Sequence, residues 1–168
     1  CRFCAVGSIK NPPPLDPEEP QRLADSVKRM GLEHAVVTVV NRDDLEDSAA
    51  GHYRQCIEAV HHTCPDTSLE LLCSDLAGDL DDLKQLLTDL PLDVFAHNVE
   101  CVPRLDRTVR DHRASFVQSL EILRQAKLLR PDILTKSSLM VGMGESHDEV
   151  VEVMHMLHDA GVDLLTLG

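Results

Sequence analysis

The chain has 168 residues, enough for one domain with a real core, and 43% of them are hydrophobic, which excludes a disordered chain. Acidic side chains outnumber basic ones by 29 to 16, for a net charge of −13, and aromatic residues make up 2% with no Trp. The electrostatic and stacking platforms that hold nucleic acid are therefore both missing, and no apolar run is long enough to cross a bilayer.

The chain opens on Cys1-Arg2-Phe3-Cys4, with no initiator Met and no lead-in strand, so the expectation is an internal piece of a longer protein. Pro12-Pro13-Pro14 follows as a stiff, extended loop. Asp16-Pro17-Glu18-Glu19 predicts a helix start, with Asp16 as cap and Glu19 completing a capping box. Leu23, Val27 and Met30 share one face of that helix, and Gly31 ends it. The β-branched run 34–40 predicts a buried strand. Tyr53, Ile57 and Val60 mark the next helix, closed off by Pro65. Residues 68–73 form a short strand, Asp79 caps a helix with Leu83, Leu86 and Leu87 inward, and 93–96 is a strand. A long helix spans 112–129 with Phe116, Leu120 and Leu123 on one face, and a strand lies within 133–141. Ser146 to Glu149 is a second capping box ahead of Val150, Met154 and Leu157. Gly161 stops that helix, and 162–167 is the last strand. Five strands and five helices alternate without a hairpin signal. This predicts an α/β fold with a parallel sheet, either open or curved into a barrel.

In such folds, sites collect at the C-terminal ends of strands. Polar clusters recur there: Asn41-Arg42-Asp43-Asp44, Ser74-Asp75, His97-Asn98-Val99-Glu100 and Gly142-Met143-Gly144-Glu145, with Lys136 and Ser137 inside the fourth strand. Each alone also reads as a solvated turn, a helix cap or a surface charge. Their shared position makes them a candidate pocket of carboxylates, an amide and cations. Gly142-x-Gly144 lacks the third glycine of a dinucleotide fingerprint.

Two thiols at the Cys1/Cys4 spacing can grip one metal centre. No second C-x-x-C or H-x-x-x-H completes a zinc site, and the Pro-rich loop disfavours a thioredoxin-like redox pair. A cluster site remains, with a further ligand ahead of Cys1. Cys56 reads as core, Cys64 as a loop thiol, and Cys73 and Cys101 as strand-end thiols. The core is large enough to need no disulfide staples, so free thiols in a reducing compartment are expected. His61-His62 falls at a helix end, where cations offset the dipole, and is assigned no metal.

The opening Cys1-Arg2-Phe3-Cys4-Ala5-Val6 and the segment Pro12 to Pro20 resemble the lipoyl synthase family of radical S-adenosylmethionine enzymes. So do Val39 to Leu45, His97 to Glu100 with Val102 to Leu105, Thr135-Lys136-Ser137, Leu139 to Glu145 and Ala160 to Gly168. The likeness runs in order from end to end. It implies a partial (β/α) TIM-like barrel of radical SAM type without its first strand, and an incomplete core domain over 1–168. It makes Cys1 and Cys4 the last two cysteines of a C-x-x-x-C-x-x-C set that ligates a radical SAM [4Fe-4S] cluster. S-adenosylmethionine would occupy the open iron site and yield a 5′-deoxyadenosyl radical. By the same resemblance, Asn41, Arg42, Asp43 and Asp44 would hold the methionyl end of that cofactor, and Asn98, Glu100, Lys136 and Ser137 would line the cofactor or substrate side.

The implied reaction inserts two sulfur atoms at C6 and C8 of an octanoyl group on a carrier-protein lysine. Sulfur would come from a second, auxiliary [4Fe-4S] cluster whose ligands lie outside this chain, and electrons from a donor such as flavodoxin or ferredoxin. The setting would be cytoplasmic in a bacterium, or organellar, with no nucleic-acid or membrane partner. The isolated piece is expected to be inactive. The alternatives are another radical SAM sulfur-inserting enzyme and a non-catalytic α/β domain. The chain departs from the family pattern at Val39, Ser48, Ala49, Ser74, Cys101 and Ser138. The Ser48-Ala49 pair replaces glycines, removing permissive backbone from a tight loop.

Overall fold

A computed structural model describes residues 1–7 and 9–168. The elements follow the order α1 (Glu19–Met30), β1 (His34–Thr38), α2 (Ala50–Thr63), β2 (Ser68–Leu72), α3 (Leu80–Leu87) and β3 (Val94–Ala96). There follow α4 (Asp106–Val109), α5 (Phe116–Leu129), β4 (Leu134–Leu139), α6 (His147–Asp159) and β5 (Leu164–Leu167). Single 3-10 turns occupy Leu76–Gly78 and Pro103–Leu105. The five strands are all parallel and lie in the order β1-β2-β3-β4-β5. Each new strand adds beside the previous one. Right-handed crossovers in that order put every helix on the same face of the sheet. This is the winding of a (β/α) barrel; a doubly wound sheet reverses its strand order and takes helices on both faces. Strand order thus decides the question that periodicity left open.

Alternate strand residues face the helices. Leu69, Leu71 and Cys73 from β2 and its end, with Phe95 of β3, pack against Ala24 and Val27 of α1, Ile57 and Val60 of α2, and Leu83, Leu86 and Leu87 of α3. A second cluster joins Leu139 of β4 to Phe116 and Leu123 of α5 and Val153 and Leu157 of α6. The intervening residues point to the helix-free face. There Glu70, 5% exposed, meets Lys136 at 2.8 Å across the neighbouring strand.

Most expected elements appear, with instructive shifts. The helix expected from Asp16 begins at Glu19, capped by Glu18 without a side-chain bond. Asp16 instead accepts from Glu18 N and pairs with Arg22, while Glu19 reaches His52 at 2.7 Å. Pro20 then fills the first turn, where no N–H is needed. Met30 and Met154 are exposed rather than inward, because Val27, Val153 and Leu157 carry those helix faces. The first strand is only alternately buried, since β1 lies at the sheet edge. The helix expected from residue 112 starts at Phe116 on the Ser115 cap, and the preceding residues form the separate turn α4. The caps at Asp79 and Ser146 form as expected, and Gly31 and Gly161 take the left-handed φ of +61° and +83° that ends their helices.

Candidate functional site

The C-terminal ends of β1, β2 and β3 open into a cleft of about 710 Å³, a size suited to a small ligand. Its floor and walls are apolar in part (Val39, Val40, Leu72) and polar in part (Asn41, Asp43, Ser74, Asp75, Asn98, Glu100). The N-terminal loop supplies Cys1, Phe3, Cys4, Val6 and Gly7. The connection from α4 to α5 supplies Arg110, Asp111, Arg113 and Ala114.

The two thiols of the C-x-x-C pair are exposed and free at the cleft. Their loop is docked by its backbone: Arg2 N donates to Val109 O at 2.9 Å, and Asp111 N donates to Cys1 Sγ at 3.3 Å. Arg113 spans the cleft mouth, reaching Asp43 at 2.8 Å after β1 and Asp111 at 2.8 Å. Hydrogen bonds from Arg113 hold the Asp111 carboxyl well below the usual carboxylate range.

Beyond β3 the chain makes a tight turn. Glu100 has φ of +68°, a conformation that non-glycine residues adopt only under constraint. The constraint is visible: Glu100 N donates to Ser138 O at 3.1 Å, Met140 N donates to Glu100 O at 2.9 Å, and Val99 N donates to Ser137 Oγ at 3.2 Å. Burial pushes the Glu100 carboxyl up, with a hydrogen bond from Asn98 and the Arg110 charge opposing the rise.

Of the residues singled out in the sequence, Cys1, Cys4, Asn41, Asp43, Asn98 and Glu100 therefore line one cleft. Four others lie elsewhere. Arg42 and Asp44 form a two-bond pair at 2.9 Å, and Arg42 also donates to Pro13 O, so they brace the Pro-rich loop. Lys136 belongs to the helix-free sheet face, spent on Glu70. Ser137 is fully buried on the helix side and holds the 98–100 turn by accepting from Val99 N. The Gly142–Glu145 loop is closed on itself by bonds from Gly142 N and Met143 N to Glu145, and by Arg104 bonded to Gly144 O.

Sequence reasoning missed Arg110, Asp111 and Arg113, because residues 106–111 carry no periodicity and 112–115 read as the start of the following helix. The charge run Arg110-Asp111-His112-Arg113 just ahead of a Ser cap was the available signal. Cys73 lines the cleft, but burial pushes its thiol up to about 12, which leaves it protonated and a poor ligand.

Residues 1–157 match the radical SAM superfamily. The chain belongs to the radical SAM superfamily. It is 50% identical over its whole length to a lipoyl synthase of Halorhodospira halophila and 46% identical to a chloroplastic lipoyl synthase of Arabidopsis thaliana, covering 50% and 42% of those proteins. The chain thus spans about half the length of the curated relatives it matches. Its fold superposes on methylornithine synthase (PylB) with a TM-score of 0.76 at 15% identity, over all of this chain and 48% of that one. That likeness is one of fold.

The superfamily implies a [4Fe-4S] cluster and S-adenosylmethionine. The donor chemistry here fits: two exposed sulfurs, soft ligands suited to iron–sulfur clusters, stand at the mouth of a ligand-sized cleft. Among the described residues no group of three or more His, Cys, Asp or Glu side chains could hold a metal ion. No helix among the described residues is long and apolar enough to cross a membrane.

Proposed function

We propose that this chain is the catalytic core of a lipoyl synthase, which replaces one hydrogen at C6 and one at C8 of a carrier-bound octanoyl group with sulfur. The observation that carries this reading is the identity of 46–50% along the entire chain to lipoyl synthases, with the C-x-x-C pair opening on the strand-end cleft. Cys1 and Cys4 would hold iron of the radical SAM cluster. When bound, the cluster and S-adenosylmethionine supply a carbon-centred radical able to take hydrogen from an unactivated C–H bond.

The rest is done by the chain's own residues. Asn41 and Asp43 on one side of the cleft and Asn98 and Glu100 on the other offer hydrogen-bond partners to a zwitterionic, hydroxylated ligand. The apolar side chains of Phe3, Val6, Val40 and Leu72 line the same space, and a ligand packed against them would shed the water that could quench or divert a reactive centre. Arg113, paired to Asp43 and Asp111, holds the β1 end and the cysteine-docking segment together. The reading includes a substrate on an octanoylated carrier protein, a reductant such as a flavodoxin or ferredoxin, and an auxiliary [4Fe-4S] cluster bound outside these residues.

The test is anaerobic reconstitution of the full-length protein with iron and sulfide. The expected outcome is two clusters per chain, 5′-deoxyadenosine that depends on S-adenosylmethionine, and an octanoyl-lysine peptide whose mass rises by two sulfurs less two hydrogens. One cluster with 5′-deoxyadenosine but no sulfur in the peptide would overturn the lipoyl assignment.

A further inference from the structure

The cleft contains one buried cation that no sequence motif singled out. Arg110 is 7% exposed, yet it lines the site. One terminal nitrogen donates to Val99 O at 3.2 Å, inside the strained turn that carries Asn98 and Glu100. The other donates to Ser119 Oγ at 2.9 Å on α5. Its Nε finds no partner among the described residues. Most buried side-chain N–H groups in native structures have a partner, so an orphaned one calls for an explanation. Here the guanidinium is fixed by its two ends at the expense of its middle.

The chain of bonds continues. Ser119 Oγ contacts His97 Nε2 at 2.8 Å, and His97 Nδ1 contacts Cys73 O at 2.9 Å. A carbonyl only accepts, so His97 carries its proton on Nδ1, and its Nε2 then accepts from the Ser119 hydroxyl. Arg110, Ser119, His97 and Cys73 thus form one directed line running from the end of α4 through α5 to the ends of β3 and β2. On its other side Arg110 is bonded through its own N–H to Asp106 O at 2.8 Å, and the next residue, Asp111, donates its N–H to Cys1 Sγ. One residue, by its backbone on one side and its guanidinium on the other, therefore sits between the cysteine end of the cleft and the turn that presents its carboxylate and amide.

We propose that Arg110 is the positioning residue that sets the Asn98–Glu100 turn in register with the cysteine-bearing end of the cleft, acting through Val99 O and the Ser119–His97 line. The proposal rests on the radical SAM reading for the identity of the ligand but not for the geometry. Glutamine at 110 cannot span both acceptors, and lysine supplies the charge without the fork.

The test uses the full-length protein loaded with iron and sulfide and probed with S-adenosylmethionine. Arg110→Gln should keep iron and sulfide content. Its affinity for S-adenosylmethionine should fall about tenfold or more, and the change that this ligand makes in the electron paramagnetic resonance spectrum of the reduced cluster should be lost. Arg110→Lys should not rescue either property. Ser119→Ala, which keeps the arginine, should weaken binding in the same direction by about threefold. Wild-type affinity in both Arg110→Gln and Ser119→Ala would overturn the proposal, as would full rescue by lysine. If Arg110→Gln fails to fold, Ser119→Ala decides alone. If the unaltered protein binds neither iron nor S-adenosylmethionine, the functional reading fails instead. Hydrogen exchange then decides the positioning claim: faster exchange at residues 97–101 in Ser119→Ala supports it, and unchanged exchange there overturns it.

Discussion

The two faces of the sheet are made from the same strands but obey different rules. On the helix side, Leu69, Leu71, Phe95 and Leu139 are 1% exposed or less and belong to the two apolar clusters. On the helix-free side and at its C-terminal rim stand Glu70, Lys136, Asn98 and Glu100, with charges, hydrogen bonds and a left-handed backbone. One residue of offset along a strand separates the two regimes, because successive side chains point to opposite faces. The difference teaches that stability and chemistry can be disturbed separately here.

The sharpest break comes at the rim. Cys4→Ala in the full-length protein should abolish binding of the radical SAM cluster and reduce S-adenosylmethionine cleavage to background, measured as 5′-deoxyadenosine. Stability of the cluster-free protein should change by no more than about 0.5 kcal/mol, because Cys4 is exposed and outside both core clusters. On the helix side the pattern inverts. Leu86→Ala removes a fully buried side chain and should cost about 3 kcal/mol in urea unfolding, with ligand affinity of the folded fraction unchanged.

The Glu70–Lys136 pair tests the middle of the helix-free face. Lys136→Met would leave a carboxylate only 5% exposed without its nearest cation and should destabilise by about 2–3 kcal/mol. The double replacement Glu70→Leu with Lys136→Met should recover most of that loss. Recovery failing in the double variant would mean that the pair is needed for more than charge balance.

Acid stability tests the wall between the two faces. Burial lowers the His97 pKa from its ordinary 6.5. Below that value the unfolded chain takes up a proton that the native state does not. Stability from this group is therefore complete above pH 6.5 and declines as pH falls, by up to about 1.4 kcal/mol per unit. His97→Asn, which keeps a donor for Cys73 O, should flatten the slope between pH 6.5 and 5 in urea titrations. Glu100 acts in the opposite sense. Its raised pKa makes the native state hold the proton more tightly, so its contribution is lost as pH rises through the shifted value.

The smallest effect is expected in the loop after β1. Ser48 and Ala49 both have left-handed φ, of +50° and +68°, at the two positions where glycine would be expected from the family resemblance. Ser48→Gly should raise stability by about 0.5–1 kcal/mol by relieving that strain. Ala49 packs in the core, so glycine there loses methyl contacts and should gain less.

Much of this was legible in the residues. Helix ends with local chemistry, such as Asp79, Ser146, Gly31 and Gly161, were read at the right positions because a cap is decided within four residues. The strand-end position of Asn41, Asp43, Asn98 and Glu100 followed from alternation alone. Met30 and Met154 were misjudged because spacing puts them near the apolar stripe of their helices, and only the packed structure shows that they are left outside it. Arg42 and Lys136, read as cofactor- or substrate-side residues, are not among the residues lining the cleft. Each has a partner, Asp44 or Glu70, whose claim on it is invisible without coordinates.

The alternating α/β order, the parallel sheet, the acidic charge balance and the C-x-x-C spacing of the two thiols all follow from the residues alone. These are properties of short windows, where periodicity, capping and spacing act. That the strands follow in simple order, with the helices on one face, emerges only once the chain is packed. The tertiary structure also placed Arg110 and Arg113, rather than Arg42 and Lys136, at the cleft. Those outcomes depend on contacts between segments tens of residues apart, where packing and charge pairing choose among options that local chemistry leaves equal.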